Sequence, residues 1–313
     1  MKLIDTRKDV AKMSLTANLI NVSLKLSGIK KMYYLPDEQF LEKVKKMNKS
    51  RGFYMPKDKK AFYKEHNVLG YKCLIVQQNK EPATRSILYM FGGGMLLGPD
   101  KGDIDVIVKL VQKTGCDIWF PIYPLCPDHC ITESFEMVFE CYRQMINLYG
   151  GGNVSTCGFS SGAALALGIA SYNNTLSEKL PMPRHIVAVS PGEVPWNEDE
   201  IRIMKQNNPK DNMVDYAFMS RFEKFQRKGR NDIPEYMIHI SKGDFSGVDN
   251  IHFVYSEDEV LYGAKQNFID ACKKYNVKYT VRQRKGMFHC YTMLPYFREA
   301  KEDFNEIADI LRN

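Results

Sequence analysis

After Gly70 the chain alternates between short and long apolar periods. The runs at 71–77, 85–91, 117–123, 153–159, 184–190, 250–256 and 278–284 have the length and texture of strands. Between them, segments near 102–114, 131–148, 161–172, 263–274 and 297–312 carry helical spacing. Strands that alternate with helices predict an α/β architecture, a mostly parallel central sheet with helices on both faces. In such a sheet a ligand sits beyond the carboxyl ends of the strands, so the residues just after each strand are where chemistry is to be sought. One segment breaks the alternation. Residues 195–235 form a long, helical, strongly charged insertion between two strands, suited to covering the site as a lid.

Before Gly70 the pattern reads as helical from Asp5 to about Lys64. Leu15, Leu19, Val22 and Leu26 recur at spacings of four, three and four and form one apolar stripe. Gly28 supplies a stop, and Pro36 precedes a second helix from Asp37 to about Met47. The stripe is read as packing against its own domain. The expectation is therefore one domain over residues 1–313, with a helical cap drawn from about 1–65 and 195–235. No internal repeat or low-complexity tract interrupts it.

Composition narrows the partners. At 44% hydrophobic and 26% charged, the 313 residues are those of an ordinary globular chain. The net charge is +7, but its densest run, "KVKKMNKSR" from Lys43 to Arg51, lacks the interleaved aromatics of a nucleic-acid surface. It is read as a solvated helix face, with weak attraction to anionic membranes left open. Eight cysteines include no C-x-x-C pair, and several lie in apolar stretches that read as core. The amino-terminal "MKLIDTRKDVAKMS" is charged throughout, unlike a signal peptide, and no run approaches about 18 apolar residues. A reduced, cytoplasmic protein is expected.

Four segments after strands carry candidate chemistry. "CGFSSGAAL" sets Ser160 between Gly158 and Gly162, a G-x-S-x-G arrangement at a strand-to-helix junction. Such a turn needs small neighbours because strand and helix approach closely. It would leave Ser160 exposed at the tip, and the N–H of Ser161 would point at the same space. Ser161 is the less central alternative as nucleophile. Three consecutive glycines, Gly92 to Gly94, are entropically costly, and they let backbone N–H groups face a cavity without side chains in the way. "YSEDEVLYGA" offers two carboxylates, Asp258 and Glu259, and "GMFHCYTMLPYF" offers His289 in a loop before the terminal helix. Nucleophile, then acid, then histidine is the chain order of the α/β-hydrolase triad.

These segments together resemble the hormone-sensitive-lipase-like branch of the α/β-hydrolases, the branch of small bacterial esterases. "FGGGMLLG" is similar to that family's H-G-G-G-x motif and "YPLCPDH" (123–129) to its Y-R-L-A-P-E-H segment. "GFSSGA" is similar to G-D-S-A-G-G, and "DEVLYGA…MFHCY" to the D-P-L-x-D…H region. The resemblance runs from about 71 to 313. It implies an α/β-hydrolase fold, and a catalytic acid two residues before Leu261. That position is Glu259, with Asp258 in reserve. It also implies oxyanion donors at the amides of Gly93, Gly94 and Ser161. Two positions depart from the family: Phe91 stands where it has histidine, and Phe159 where it has the aspartate before the nucleophile. How the loop and the elbow are braced is thereby left open.

The function so implied is hydrolysis of carboxylic esters of short to medium acyl chains, through an acyl-enzyme on Ser160, with no metal or organic cofactor. Two other readings stand beside it. One is an amidase or peptidase with the same triad, separable by matched ester and anilide substrates. The other is a non-catalytic hydrolase-fold protein that binds a small ligand, separable by fluorophosphonate labelling. A small-molecule ester is the expected partner, nucleic acid and stable membrane insertion are not, and a homodimer is left open.

Overall fold

The computed structural model describes residues 4–9 and 13–313. Its centre is one sheet of nine strands: β1 (Ile4–Asp9), β2 (Phe62–Val68), β3 (Tyr71–Gln77), β4 (Ser86–Met90), β5 (Asp117–Pro121), β6 (Val154–Phe159), β7 (Ile186–Val189), β8 (Asn250–Ser256) and β9 (Lys278–Arg284). In space they run β1-β9-β8-β7-β6-β4-β5-β3-β2. Every neighbouring pair is parallel except β2 with β3 and β3 with β5, which are antiparallel. Strands β4 to β7 are buried along their whole length, as parallel strands covered on both faces must be.

Among the described residues ten α-helices accompany the sheet: α1 (Leu15–Ser27), α2 (Asp37–Asn48), α3 (Lys101–Thr114), α4 (Ile131–Tyr149), α5 (Ser161–Asn174), α6 (Glu198–Asn207), α7 (Tyr216–Arg227), α8 (Glu235–Ile238), α9 (Lys265–Lys274) and α10 (Arg298–Arg312). Their ends follow local chemistry. Ser14 caps α1 by accepting from the Ala17 N–H, and Gly28 closes it in the left-handed region. Asp100 and Asp103 form a reciprocal capping box on α3. No described helix is long and apolar enough to cross a membrane.

The strand and helix runs expected beyond Gly70 agree with these elements to within a few residues. The amino-terminal expectation needs correction. Residues 5–64 are not continuously helical: β1 pairs with β9 at one edge of the sheet, and β2 forms the other edge against β3. The polar alternation "FYKEHNV" hides β2, because an edge strand keeps one face in solvent. The apolar stripe of α1 also departs from its expected packing. Leu15, Leu19, Val22 and Leu26 are all exposed, and the helix turns Ala17, Ile20 and Leu24 inward instead.

Two distant segments form one layer over the carboxyl ends of the strands. The 3-10 turn Ile29–Tyr34 and α2 meet α6 and α7 through both charge and aromatic packing. Lys30 Nζ donates to the carbonyls of Asn208 (2.6 Å) and Asp211 (2.9 Å) and pairs with Asp215 at 3.1 Å. Arg221 donates to the Leu35 carbonyl at 2.8 Å and to Asp37 at 2.9 Å. Between these contacts Tyr33, Phe40, Phe218 and Phe225 interleave with ring centroids 5.3–6.0 Å apart. The lysines at 43, 45, 46 and 49 are exposed, whereas Arg51 pairs with Asp100 at 3.1 Å.

Candidate active site

The turn from β6 into α5 is tight for a reason visible in its glycines. A Cβ on Gly158 would lie 2.1 Å from the Gly162 carbonyl oxygen, and one on Gly162 would lie 2.2 Å from that of Phe91. No side chain fits either place. Ser160 between them has φ 54° and ψ −123°, a strained geometry for a residue with a side chain. Its N–H is held by the Val189 carbonyl at 2.9 Å, and its own carbonyl starts α5 by accepting from Ala163. Ser161 is the first helical residue, so its N–H has no acceptor within the helix.

The loop after β4 lies beside this turn. Gly93 has φ 124°, outside the range of other residues, and its carbonyl accepts from Leu96 and Leu97 to fold the loop back on itself. The Met95 N–H donates to Ser161 Oγ at 3.2 Å, tying the loop to α5. Gly92, Gly93, Gly94, Ser160, Ser161 and His289 all line one cavity of about 270 Å³. Most of its remaining wall is apolar and comes largely from the helical layer, including Met32, Tyr33, Phe40, Val44 and Phe218, while Arg51, Asp100 and Asp103 add charged groups.

The two departures from the family pattern have structural consequences. Phe91 is fully buried and stacks on Tyr123 at 4.1 Å, nearly parallel. Tyr123 Oη in turn donates to the Phe91 carbonyl at 2.6 Å. Aromatic stacking and a tyrosine hydroxyl thus brace the glycine loop, and Tyr123 belongs to the "YPLCPDH" segment. Phe159 is also fully buried and packs on Tyr89 at 5.5 Å, so the elbow rests on apolar contact.

The loops after β8 and β9 separate the two carboxylates. Glu259 Oε2 lies 2.6 Å from His289 Nδ1, and its Oε1 accepts from the Ser256 N–H at 2.9 Å. Asp258 points elsewhere: it accepts from the Gly286 N–H at 2.7 Å and lies 3.5 Å from Lys210. Burial pushes the Glu259 carboxyl above the usual carboxylate range, and the His289 hydrogen bond opposes it. For His289 burial acts downward, but the neighbouring Cys290 thiol and the Glu259 carboxylate outweigh it and hold the imidazole well above its ordinary value. Among the described residues Ser160 Oγ makes no hydrogen bond to His289 Nε2. That nitrogen faces Cys290 Sγ at 3.5 Å.

Several supporting residues were not among the sequence candidates. Ser190, at φ 49°, accepts from the Cys290 N–H at 3.3 Å. From the helical layer, Asn207 Nδ2 donates to the Glu259 carbonyl at 3.0 Å, and Asp211 Oδ2 accepts from the Val260 N–H at 2.8 Å. Nothing in the charged insertion marks these two, because their partners are backbone groups brought near only by folding. Tyr123 alone had a signal, its place in a quoted motif.

With this geometry in view, similarity to known proteins is informative. The sequence profile of the α/β-hydrolase fold family matches residues 87–293. An esterase of Acinetobacter venetianus is 21% identical over 230 residues, covering 72% of this chain and 74% of that protein. The crystal structure of EstE5 superposes with a TM-score of 0.81 at 19% identity, covering 96% of this chain and 98% of its own. An esterase from the bacterial hormone-sensitive lipase family superposes with a TM-score of 0.78 at 17% identity, covering 96% and 99%.

Proposed function

The chain belongs to the α/β-hydrolase fold family, and from that premise we propose that it is a serine hydrolase of carboxylic esters with Ser160 as nucleophile, His289 as base and Glu259 as the acid. One observation carries the reading. A serine held at positive φ on a glycine-tight elbow shares a cavity with a histidine whose other ring nitrogen is 2.6 Å from a buried carboxylate.

In the proposed reaction His289 Nε2 takes the proton as Ser160 Oγ attacks the ester carbonyl. Glu259 fixes the histidine tautomer through Nδ1 and stabilises the imidazolium that forms. The amides of Gly93, Gly94 and Ser161 bind the developing oxyanion, each worth on the order of 3 kcal/mol. His289 then protonates the leaving alcohol, and water activated by the same nitrogen releases the acid. The present separation of Ser160 from His289 Nε2 fits a site that tightens when substrate arrives. The apolar wall favours short to medium acyl chains, and the helical layer of about 1–65 and 195–235 serves as the cap, less the strands β1 and β2.

Turnover of a p-nitrophenyl ester series by the purified protein tests the proposal. Ser160→Ala should lower kcat by about 10⁵-fold while leaving the thermal midpoint within a few degrees. A variant that keeps near-native turnover, or a wild type that turns over no ester and takes no fluorophosphonate label, would overturn it.

A further inference from the structure

Helix α1 is apolar on two opposite sides. At about 100° per residue, Leu15, Leu19, Val22 and Leu26 fall within one arc of about 60°, and Ala17, Ile20 and Leu24 fall within a second arc opposite to it. The second arc is the packed one: Ala17 is buried, and Ile20 and Leu24 rest against the core. The first is bare, with Leu15 82% exposed, Leu19 67%, Val22 54% and Leu26 81%. Four large apolar side chains in one solvent-facing row are not needed to hold the helix, because the inner row already does so. Such a row signals a partner.

The surroundings say which kind. From Met13 to Pro36 the chain carries no aspartate or glutamate and three lysines, of which Lys30 is already paired with Asp215. Lys25 stands on the flank of the bare row, and Lys31 is exposed in the turn that follows. An exposed apolar row with one lysine on its flank, another in the turn that follows and no acid between residues 13 and 36 suits contact with an anionic lipid interface. Anionic headgroups complement the lysines, and a chain of net charge +7 is drawn to them. A second copy of the chain fits less well. One row of four side chains falls short of the roughly 800 Å² per partner that a stable dimer buries, and the second copy brings the same positive charge.

We infer that the outer face of α1 docks the protein on anionic phospholipid surfaces. The placement ties docking to the cavity. Gly28 ends α1, and the next residues, Ile29, Met32 and Tyr33, already line the cavity wall. A docked α1 therefore holds that wall against the bilayer, where apolar esters partition. The delivery of such esters rests on the ester-hydrolase reading, whereas the docking does not.

Co-sedimentation of the full chain with vesicles tests it without recourse to catalysis. The wild type should bind equimolar phosphatidylcholine–phosphatidylglycerol vesicles more strongly than phosphatidylcholine alone, and high salt should weaken the binding. Leu19→Glu combined with Leu26→Glu should lower the partition coefficient about tenfold or more, with the thermal midpoint and the turnover of a water-soluble ester unchanged. Lys25→Glu combined with Lys31→Glu provides a second variant that leaves the apolar row intact, and it should reduce binding to the anionic vesicles alone. A wild type that ignores anionic vesicles, or a leucine variant that binds them as well as wild type, overturns the inference. So does a concentration-dependent dimer that the leucine variant returns to monomer with no vesicle binding, which would assign the face to a second copy.

Discussion

The cavity has a floor and a roof built on different physics. The floor joins the ends of β4, β6, β8 and β9, and its parts are held by backbone hydrogen bonds, glycine contacts and the buried Glu259–His289 pair. The roof is the layer of α2, α6, α7 and the 29–34 turn, held by interleaved aromatics and by ion pairs such as Lys30–Asp215. Close-packed backbone yields almost nothing to a change of side chain, whereas aromatic packing can adjust in volume. Reaction chemistry belongs on the first kind of support, and selection among substrates belongs on the second.

After loss of the Ser160 hydroxyl itself, removing charge from the floor should give the largest effect. Glu259→Gln keeps the shape but loses the acceptor that orients His289, and kcat should fall by about 10³ to 10⁴-fold. Because that carboxylate helps to raise the histidine, the acid limb of the residual kcat/KM profile should move to lower pH. Asp258→Asn should change kcat by less than about tenfold, since it costs one loop hydrogen bond. Steady-state rates across pH for both variants check the pair. Equal losses would deny the floor its single acid.

A smaller and different effect is expected from the roof. Phe218 is buried among Tyr33, Phe40 and Phe222, and its ring lies against Gly94. Phe218→Ala should cost about 3 kcal/mol of stability and raise kcat/KM for longer acyl esters relative to short ones by about tenfold. An acyl-chain-length profile measures this. An unchanged ratio would show that the roof does not select.

The smallest effect concerns where roof and floor join. Asn267 Nδ2 bonds both Glu193 (3.1 Å) and Glu200 (2.8 Å), two buried carboxylates at the root of α6. Burial, and then the Glu193 charge, push Glu200 up to about 8. The folded protein therefore holds a proton that the unfolded chain has released above about pH 4.5. Stability from this group is complete below that pH, declines as pH rises toward 8 and is level beyond. Thermal midpoints between pH 5 and 9 should show the decline, and Glu200→Gln should flatten it. A slope that persists in the variant would place its source elsewhere.

Legibility in the sequence followed the range of the interaction. The parallel strands read clearly because burial on both faces makes each an apolar run; α3 and α4 read clearly because their periodicity is local, and α5 because it is a long run of small and apolar residues buried nearly all round. The edge strands β1 and β2 were hidden in polar sequence, since solvent covers part of an edge. The stripe of α1 was visible, but which way it faced was not. Periodicity locates a stripe on a helix and says nothing about what lies opposite. Here a second row, Ala17, Ile20 and Leu24, took the packed side.

By itself the sequence determined the chemistry on offer: a serine on a glycine turn, a glycine loop, two adjacent acids and a late histidine, in an order that names a fold. These are covalent identities and short spacings, which no folding can alter. Only the tertiary structure set Glu259, and not Asp258, against His289, supplied the Phe91–Tyr123 stack as the brace that the sequence left open, and brought Asn207 and Asp211 to the acid loop. Each of those rests on a contact between residues far apart in the chain. Such contacts depend on where the whole sheet and its roof place two backbones, and no local pattern encodes that.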